Sequence, residues 1–254
     1  MLKWCSYCQQ FMGEAPDFEN LIITHGTCHG CHPATLRPEK LDLTHARFLK
    51  SVQHELWNAG QHNDLKAAES TIDDAVNAGL RPVDILIGII APILYQVGED
   101  WKKGTLTVEG EHQFTAFCEK VIDLVDFKFN VSAFANPMAA LETLLTSAPG
   151  NRHTLAVRIL ALWLASKGRR TQIVDTQNNL QQLLSLIRTT RIKLLLISIS
   201  LAEQCNGVKE IIGRIAELPM PIRPKVVVGG YAVKLGLVSP MPGADLMADI
   251  SSLS

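Results

Sequence analysis

The chain has 254 residues, 47% of them hydrophobic, enough to furnish one large or two medium cores. Its 24 basic and 25 acidic residues leave a net charge of −1, which excludes a global field that recruits nucleic acid or an acidic membrane, so DNA binding would need a local patch. The longest apolar run, Ile85 to Tyr95, is broken by Gly88 and Pro92 and falls short of the roughly 20 residues that span a bilayer, so a buried core helix is expected there. No stretch has the basic, apolar and small-residue order of a secretion signal, and a cytoplasmic location with no membrane partner is the expectation.

The first segment carries Cys5-x2-Cys8 and Cys28-x2-Cys31, separated by 19 residues, among scattered Gly and Pro and without a sustained apolar period. Such a segment needs something other than a core to fold, and two thiolate pairs on knuckle-like turns can close a tetrahedral zinc site. A thiol-rich tail without metal is the bland alternative. Cys28-His29-Gly30-Cys31-His32 also fits the c-type haem attachment pattern, which normally requires export. His25, His29 and His32 can each stand in for a cysteine ligand. Cys118 and Cys205 stand alone in apolar, helix-like contexts, so the clustering of the other four speaks for metal and not for disulfides.

From Leu41 the pattern turns helical. Leu43, Phe48, Val52 and Leu56 repeat at helical intervals and stop at Asn58-Ala59-Gly60. A second helix starts at a cap on Asn63 or Asp64 and ends at Gly79, with Leu65, Ala68, Ile72 and Ala75 on its inner face. Arg81-Pro82 opens a third, bent by the interior Pro92 and ending at Gly104. A fourth runs from about Glu109 to Phe129 and packs Phe114, Phe117, Val121, Leu124 and Val125. Four helices with short joints predict a bundle. His45, His54 and His62 fall on polar faces of the early helices and are read as solvated.

A connector with Pro137 follows, and the period then alternates. Leu144-Leu145-Thr146, Gln172-Ile173-Val174, Leu194 to Ile199 and Lys225 to Val228 read as strands. Thr154 to Ser166, Asn179 to Thr189 and Leu201 to Leu218 read as the helices between them. That alternation implies a parallel sheet covered on both faces, with ligands bound beyond the carboxyl ends of its strands.

Two groups of residues carry candidate chemistry. Trp101, at the end of the third helix, is followed after nine residues by Glu111 and His112 at the start of the fourth. A large flat ring, a carboxylate and an imidazole there can converge on one face of a flat ligand. The alternative makes Trp101 a bundle-end core aromatic, and Glu111 and His112 solvated first-turn residues favoured by the helix dipole. The second group opens the α/β half: Gly150-Asn151-Arg152-His153-Thr154-Leu155-Ala156, between the first strand and its helix. A loop imidazole in that place is a ready metal ligand. The alternative is a helix-start histidine facing solvent.

The stretch from Leu56 to Leu124, with Ala-Gly-Leu-Arg-Pro-Val, Ala-Pro-Ile-Leu-Tyr-Gln-Val-Gly and Trp-x9-Glu-His, resembles the helical cap of the cobalamin-dependent photoreceptors that regulate carotenoid synthesis. The resemblance extends over about residues 41 to 250. It implies that Trp101 and Glu111 pack around an adenosyl group and that His112 takes the upper cobalt position after photolysis. It also implies that His153 is the lower cobalt ligand. The family's acid-x-His-x-x-Gly motif is altered here to Asn151 and Ala156, which removes the negative charge behind the histidine and adds a methyl near the nucleotide tail. His153, Ser198-Ile199-Ser200 and Gly229-Gly230 match the family pattern, although Gly229-Gly230 also fits a plain tight turn.

The sequence therefore predicts an all-α part and an α/β part. Residues 1–40 form a zinc-ribbon-like, four-cysteine segment, 41–130 a four-helix bundle cap, 131–140 a linker, and 141–254 a Rossmann-like, flavodoxin-like cobalamin-binding domain. The resemblance implies a non-enzymatic light sensor and transcriptional regulator with adenosylcobalamin between cap and α/β domain, while the cysteine spacing adds zinc, in a zinc-ribbon-like segment that stands where many of these photoreceptors carry a DNA-reading helix-turn-helix. That departure makes contact with a protein partner such as a transcription regulator the expected output in place of direct DNA binding, and leaves a homo-oligomer open. The rivals are a corrinoid carrier protein of a methyltransferase system and a haem- or bilin-binding sensor on the same scaffold.

Overall fold

A computed structural model describes residues 1–31, 43–151, 154–176 and 179–253. The chain divides into two compact units, Met1–Val131 and Ser132–Ser254.

The first unit opens with three short strands, β1 (Leu2–Cys5), β2 (Phe11–Glu14) and β3 (Ile23–Gly26), in the order β2-β1-β3. β1 pairs antiparallel with β2 and parallel with β3. The expectation that this segment has no core of its own is only half right, because Leu2, Trp4 and Phe11 are buried. Alternation along β1 buries Leu2 and Trp4 on one face, a signal too short to register as a period.

Four helices follow: α1 (Leu43–Gln61), α2 (Leu65–Asn77), α3 (Pro82–Lys102) and α4 (Val108–Phe129). Helix α1 runs through the predicted stop. Gly60 is there for packing, since a Cβ would lie 2.3 Å from Phe114 Cζ. Asp64 caps α2, its carboxylate accepting from the Ala67 N–H at 3.0 Å, and Gly79 turns the chain away at φ +101. Pro92 cannot donate to the Gly88 carbonyl, and α3 absorbs that loss in a π-turn at Leu86–Ile90, where the Ala91 N–H reaches Leu86 O. By length and hydropathy α3 resembles a membrane span, but Ile85, Leu86, Ile89 and Ile90 are fully buried, as a bundle core helix requires. Helix α4 supplies Phe114, Phe117, Cys118, Val121 and Val125 to the same core, and Leu124 is only half-buried.

The second unit is a five-stranded sheet with order β5-β4-β6-β7-β8, every pairing parallel. Its strands are β4 (Thr143–Ser147), β5 (Thr171–Ile173), β6 (Leu194–Ser198), β7 (Lys225–Gly229) and β8 (Asp245–Met247). Helices α5 (Leu155–Ala165), α6 (Leu180–Thr189), α7 (Cys205–Ala216) and the single turn α8 (Tyr231–Lys234) connect them. Leu195, Ile197, Val226 and Val228 pack with Leu183, Ile187, Val208 and Ile211 in one apolar cluster. Helix α5 packs on β4 and β5. This is the Rossmann-like, flavodoxin-like plan, with strand order reversing between β4 and β6, and ligands on such sheets bind beyond the carboxyl ends at that reversal. β8 escapes sequence reading because three residues show no period.

Candidate functional site

Three groups of functional side chains stand out. The first closes the helical unit. Helix α3 ends in Trp101 and Lys102, and Gly104 at φ +72 reverses the chain. The Asp100 carbonyl accepts from the Thr105 and Leu106 amides at 2.9 and 3.1 Å and from the Thr105 hydroxyl at 2.9 Å. The Thr107 hydroxyl then caps α4 by accepting from the Gly110 N–H at 3.1 Å. Glu111 and His112 follow within the first turn.

A bundle-end core tryptophan would be buried, whereas Trp101 is 44% exposed. A solvated first-turn glutamate would be exposed, whereas Glu111 is 9% exposed. Its Oε1 accepts from Thr115 Oγ1 at 2.8 Å, and its Oε2 lies 3.5 Å from His112 Nε2. The His112 side chain itself faces solvent. One end of the helical unit therefore presents an open indole ring, an anchored carboxylate and an accessible imidazole, tied together by the Asp100 turn and the Thr107 cap.

The second group gathers at the carboxyl ends of the sheet. Register sets Ser147 beside Ser198, and Ser198 beside Gly229. Asn151 is fully buried, and its side-chain N–H2 donates to Ser200 Oγ at 3.1 Å and to Ser198 O at 3.5 Å. The amide thus braces the loop after β4 against the loop after β6. Gln204 holds the second loop from below, its Oε1 accepting from the Ser200 and Leu201 amides at 3.0 and 3.1 Å.

Gly230 is more than a plain turn residue. It has φ +108, and a Cβ there would lie 2.6 Å from the Ile199 carbonyl oxygen. A Cβ on Gly229 would come within 3.0 Å of Met247 O. Ala156 lies exposed on the first turn of α5. His153 and Arg152 lie outside the described residues.

Sequence reading missed Ser147. Its Oγ is buried and has no hydrogen-bond partner among the described residues. A buried hydroxyl left unmade is unfavourable by about 1–3 kcal/mol, so this atom is suited to meet a ligand. The available signal was its place as the last residue of the first strand beside the order reversal.

The third group is the cysteine cluster. The Sγ atoms of Cys5, Cys8, Cys28 and Cys31 all lie within 4.8 Å of one another. All four thiols are free, and Cys8 Sγ and Cys28 Sγ are 3.6 Å apart. Burial pushes Cys5 up, but the backbone amides of Cys8, Cys28 and Tyr7 outweigh it and hold that thiol down at about 6. Burial, reinforced by the neighbouring thiols, pushes Cys8 up to about 12, and the Cys28 thiol raises Cys31. Among the described residues the four sulfurs form the set without His25 or His29, and His32 lies outside those residues.

Residues 52–125 match one protein family described as a B12 binding domain, and residues 141–236 match a second family of the same description. The two matches together take in most of the chain, give it two B12 binding domains and support cobalamin binding. No curated protein matches the chain. Among solved structures, the monomethylamine corrinoid protein of Methanosarcina barkeri is 16% identical, with 80% of this chain and 95% of that one aligned at a TM-score of 0.65. A cobalamin-binding protein from Desulfitobacterium hafniense is 13% identical over 79% of this chain and 94% of its own, at a TM-score of 0.40. A methanol:cobalamin methyltransferase complex from Methanosarcina barkeri is 13% identical over 87% and 88%, at 0.38. The first of these shares the fold.

The residues present fit a corrinoid at the sheet. An unpartnered buried hydroxyl on Ser147 and two serine-bearing strand-end turns offer donors to a long polar substituent. The departure is Asn151, a neutral amide whose N–H2 goes to Ser200, where the resemblance implies a carboxylate.

Proposed function

We propose that this protein is a non-enzymatic light sensor that binds adenosylcobalamin and regulates transcription through contact with another protein. The observation that carries the reading is the group at the end of the helical unit, where an exposed Trp101 accompanies a buried, hydrogen-bonded Glu111 and an open His112.

When bound, adenosylcobalamin supplies a cobalt–carbon bond that light breaks. Trp101 offers a flat apolar ring to the adenine. Glu111, its carboxylate steadied by Thr115, accepts from the amine or hydroxyl donors of the adenosyl group. His112 and His153 are the residues that would each offer an imidazole nitrogen to the cobalt. Ser147, Ser198, Ser200 and Gly229-Gly230 would hold the nucleotide tail. The output is contact with a protein partner, since a net charge of −1 supplies no global field toward DNA.

The test is the absorption spectrum of the chain loaded with adenosylcobalamin in darkness and after green light. A light-driven change to a stable species that His112→Ala abolishes is the expected result. A corrinoid spectrum indifferent to light would overturn the sensor reading in favour of a methyl carrier, and a Soret band without corrin uptake would move it to haem.

A further inference from the structure

The cysteine cluster plays no part in the cobalamin reading, yet the ribbon that bears it is built into the helical unit. Trp4 and Phe11 meet edge to face with ring centroids 5.3 Å apart. Both rest on the π-turn of α3. A Cβ on Gly88 would lie 2.4 Å from Trp4 Cζ2 and 2.8 Å from Phe11 Cδ2, so glycine is what lets the rings reach the helix backbone. Beside them the Phe11 N–H donates to Asp84 Oδ2 at 3.2 Å. Asp84 is fully buried and is gripped by Arg81 through two contacts of 2.7 Å.

At its far end the same ribbon converges on the four sulfurs. β1 ends in Cys5, β3 ends two residues before Cys28, and the Cys28 N–H donates to Cys5 Sγ at 3.4 Å. A zinc ion with Zn–S bonds of about 2.3 Å has sulfur–sulfur edges of about 3.8 Å. The observed 3.6 Å between Cys8 and Cys28, with all four sulfurs inside 4.8 Å, has that size. Strands of four residues each make a sheet too small to order itself without a staple.

We infer that Cys5, Cys8, Cys28 and Cys31 hold one zinc ion as a tetrathiolate, and that this closed ribbon keeps Trp4 and Phe11 seated on Gly88 of α3. The metal is then a structural member of the helical unit. It secures the π-turn of the helix whose last turn carries Trp101. The inference does not depend on the cobalamin reading.

The full chain, purified with its metal, tests this. One zinc per chain is expected, and none in the Cys28→Ser, Cys31→Ser double variant. Stripping zinc with a chelator should speed amide exchange over 82–90 about tenfold or more as the ribbon leaves the helix. Gly88→Ala keeps every cysteine, so it should retain a zinc site with affinity about tenfold weaker, the effect of overpacking a close contact. A chain that takes up no zinc, or that carries iron instead, overturns the metal assignment. Zinc loss that leaves exchange over 82–90 unchanged, or Gly88→Ala with unaltered zinc affinity, overturns the coupling to α3. Corrinoid uptake measured on the same zinc-loaded samples keeps failure of the cobalamin reading separate.

Discussion

Gly230→Ala would place a methyl 2.6 Å from the Ile199 carbonyl oxygen and 3.0 Å from its nitrogen, on a residue at φ +108. Both neighbours are backbone atoms of the strand-end turn and cannot swing aside as a flexible side chain would. Holding a non-glycine residue in that region is unfavourable by about 1–3 kcal/mol, and overpacking adds about 1–3 kcal/mol more. A loss of about 2–6 kcal/mol follows, a large share of the roughly 5–15 kcal/mol that stabilises a domain. Two companions separate the components. Gly150 has φ +80 with nothing within 4 Å of an added Cβ, so Gly150→Ala should lose only the backbone part, about 1–2 kcal/mol. Gly98 lies inside α3 with open space around its Cβ position, and Gly98→Ala should gain about 0.5–1 kcal/mol. Urea unfolding followed by far-ultraviolet circular dichroism measures all three. A Gly230→Ala loss no larger than that of Gly150→Ala would refute the close-approach argument.

Asp84→Asn keeps the shape but removes the charge that accepts from Arg81 and Phe11, and should lower stability by about 2 kcal/mol, with Arg81, half exposed, recovering water; a thermal melt unchanged from the parent would contradict it. Burial pushes the Cys118 thiol up to about 12, so it should resist alkylation in the folded chain and react only in denaturant, read by peptide mass spectrometry. Asp73 and Glu69 raise Lys128, so its folded value lies above its unfolded one. Its contribution is therefore full below the ordinary 10.5 and lost as pH climbs through the raised value, a decline that Lys128→Met should flatten in alkaline melts. Because these side chains are substantially exposed, added salt should shrink the same effect.

Much of the architecture is legible where local chemistry and pattern agree. Asp64 and Gly79 mark the ends of α2, and strict alternation of strand and helix after residue 140 yields a parallel sheet. The failures have physical causes. Gly60 reads as a helix stop but exists because Phe114 occupies the space of its Cβ, a tertiary fact. Gly88 reads as an interruption of an apolar run, yet it is the seat for Trp4 and Phe11 from a distant segment. The Cys-x2-Cys spacing does predict four thiols closing on one point, as the structure has them; what it hides is the ribbon's buried aromatic pair, which the strands are too short to announce. At the sheet, Asn151 reads as a weaker support for His153 than a carboxylate would be, and the structure adds a second role, its side-chain N–H2 bracing two loops through Ser200. Ser147 went unread because a serine after Leu-Leu-Thr looks like a strand end, and its buried, unpartnered hydroxyl exists only in three dimensions.

Retention of cobalamin by the purified chain, measured by absorbance of the protein peak after gel filtration with and without His153→Ala, addresses the central claim most directly. One corrinoid per chain, with the spectrum altered by His153→Ala, is the predicted result. A protein peak free of corrinoid after loading in excess cobalamin would contradict it.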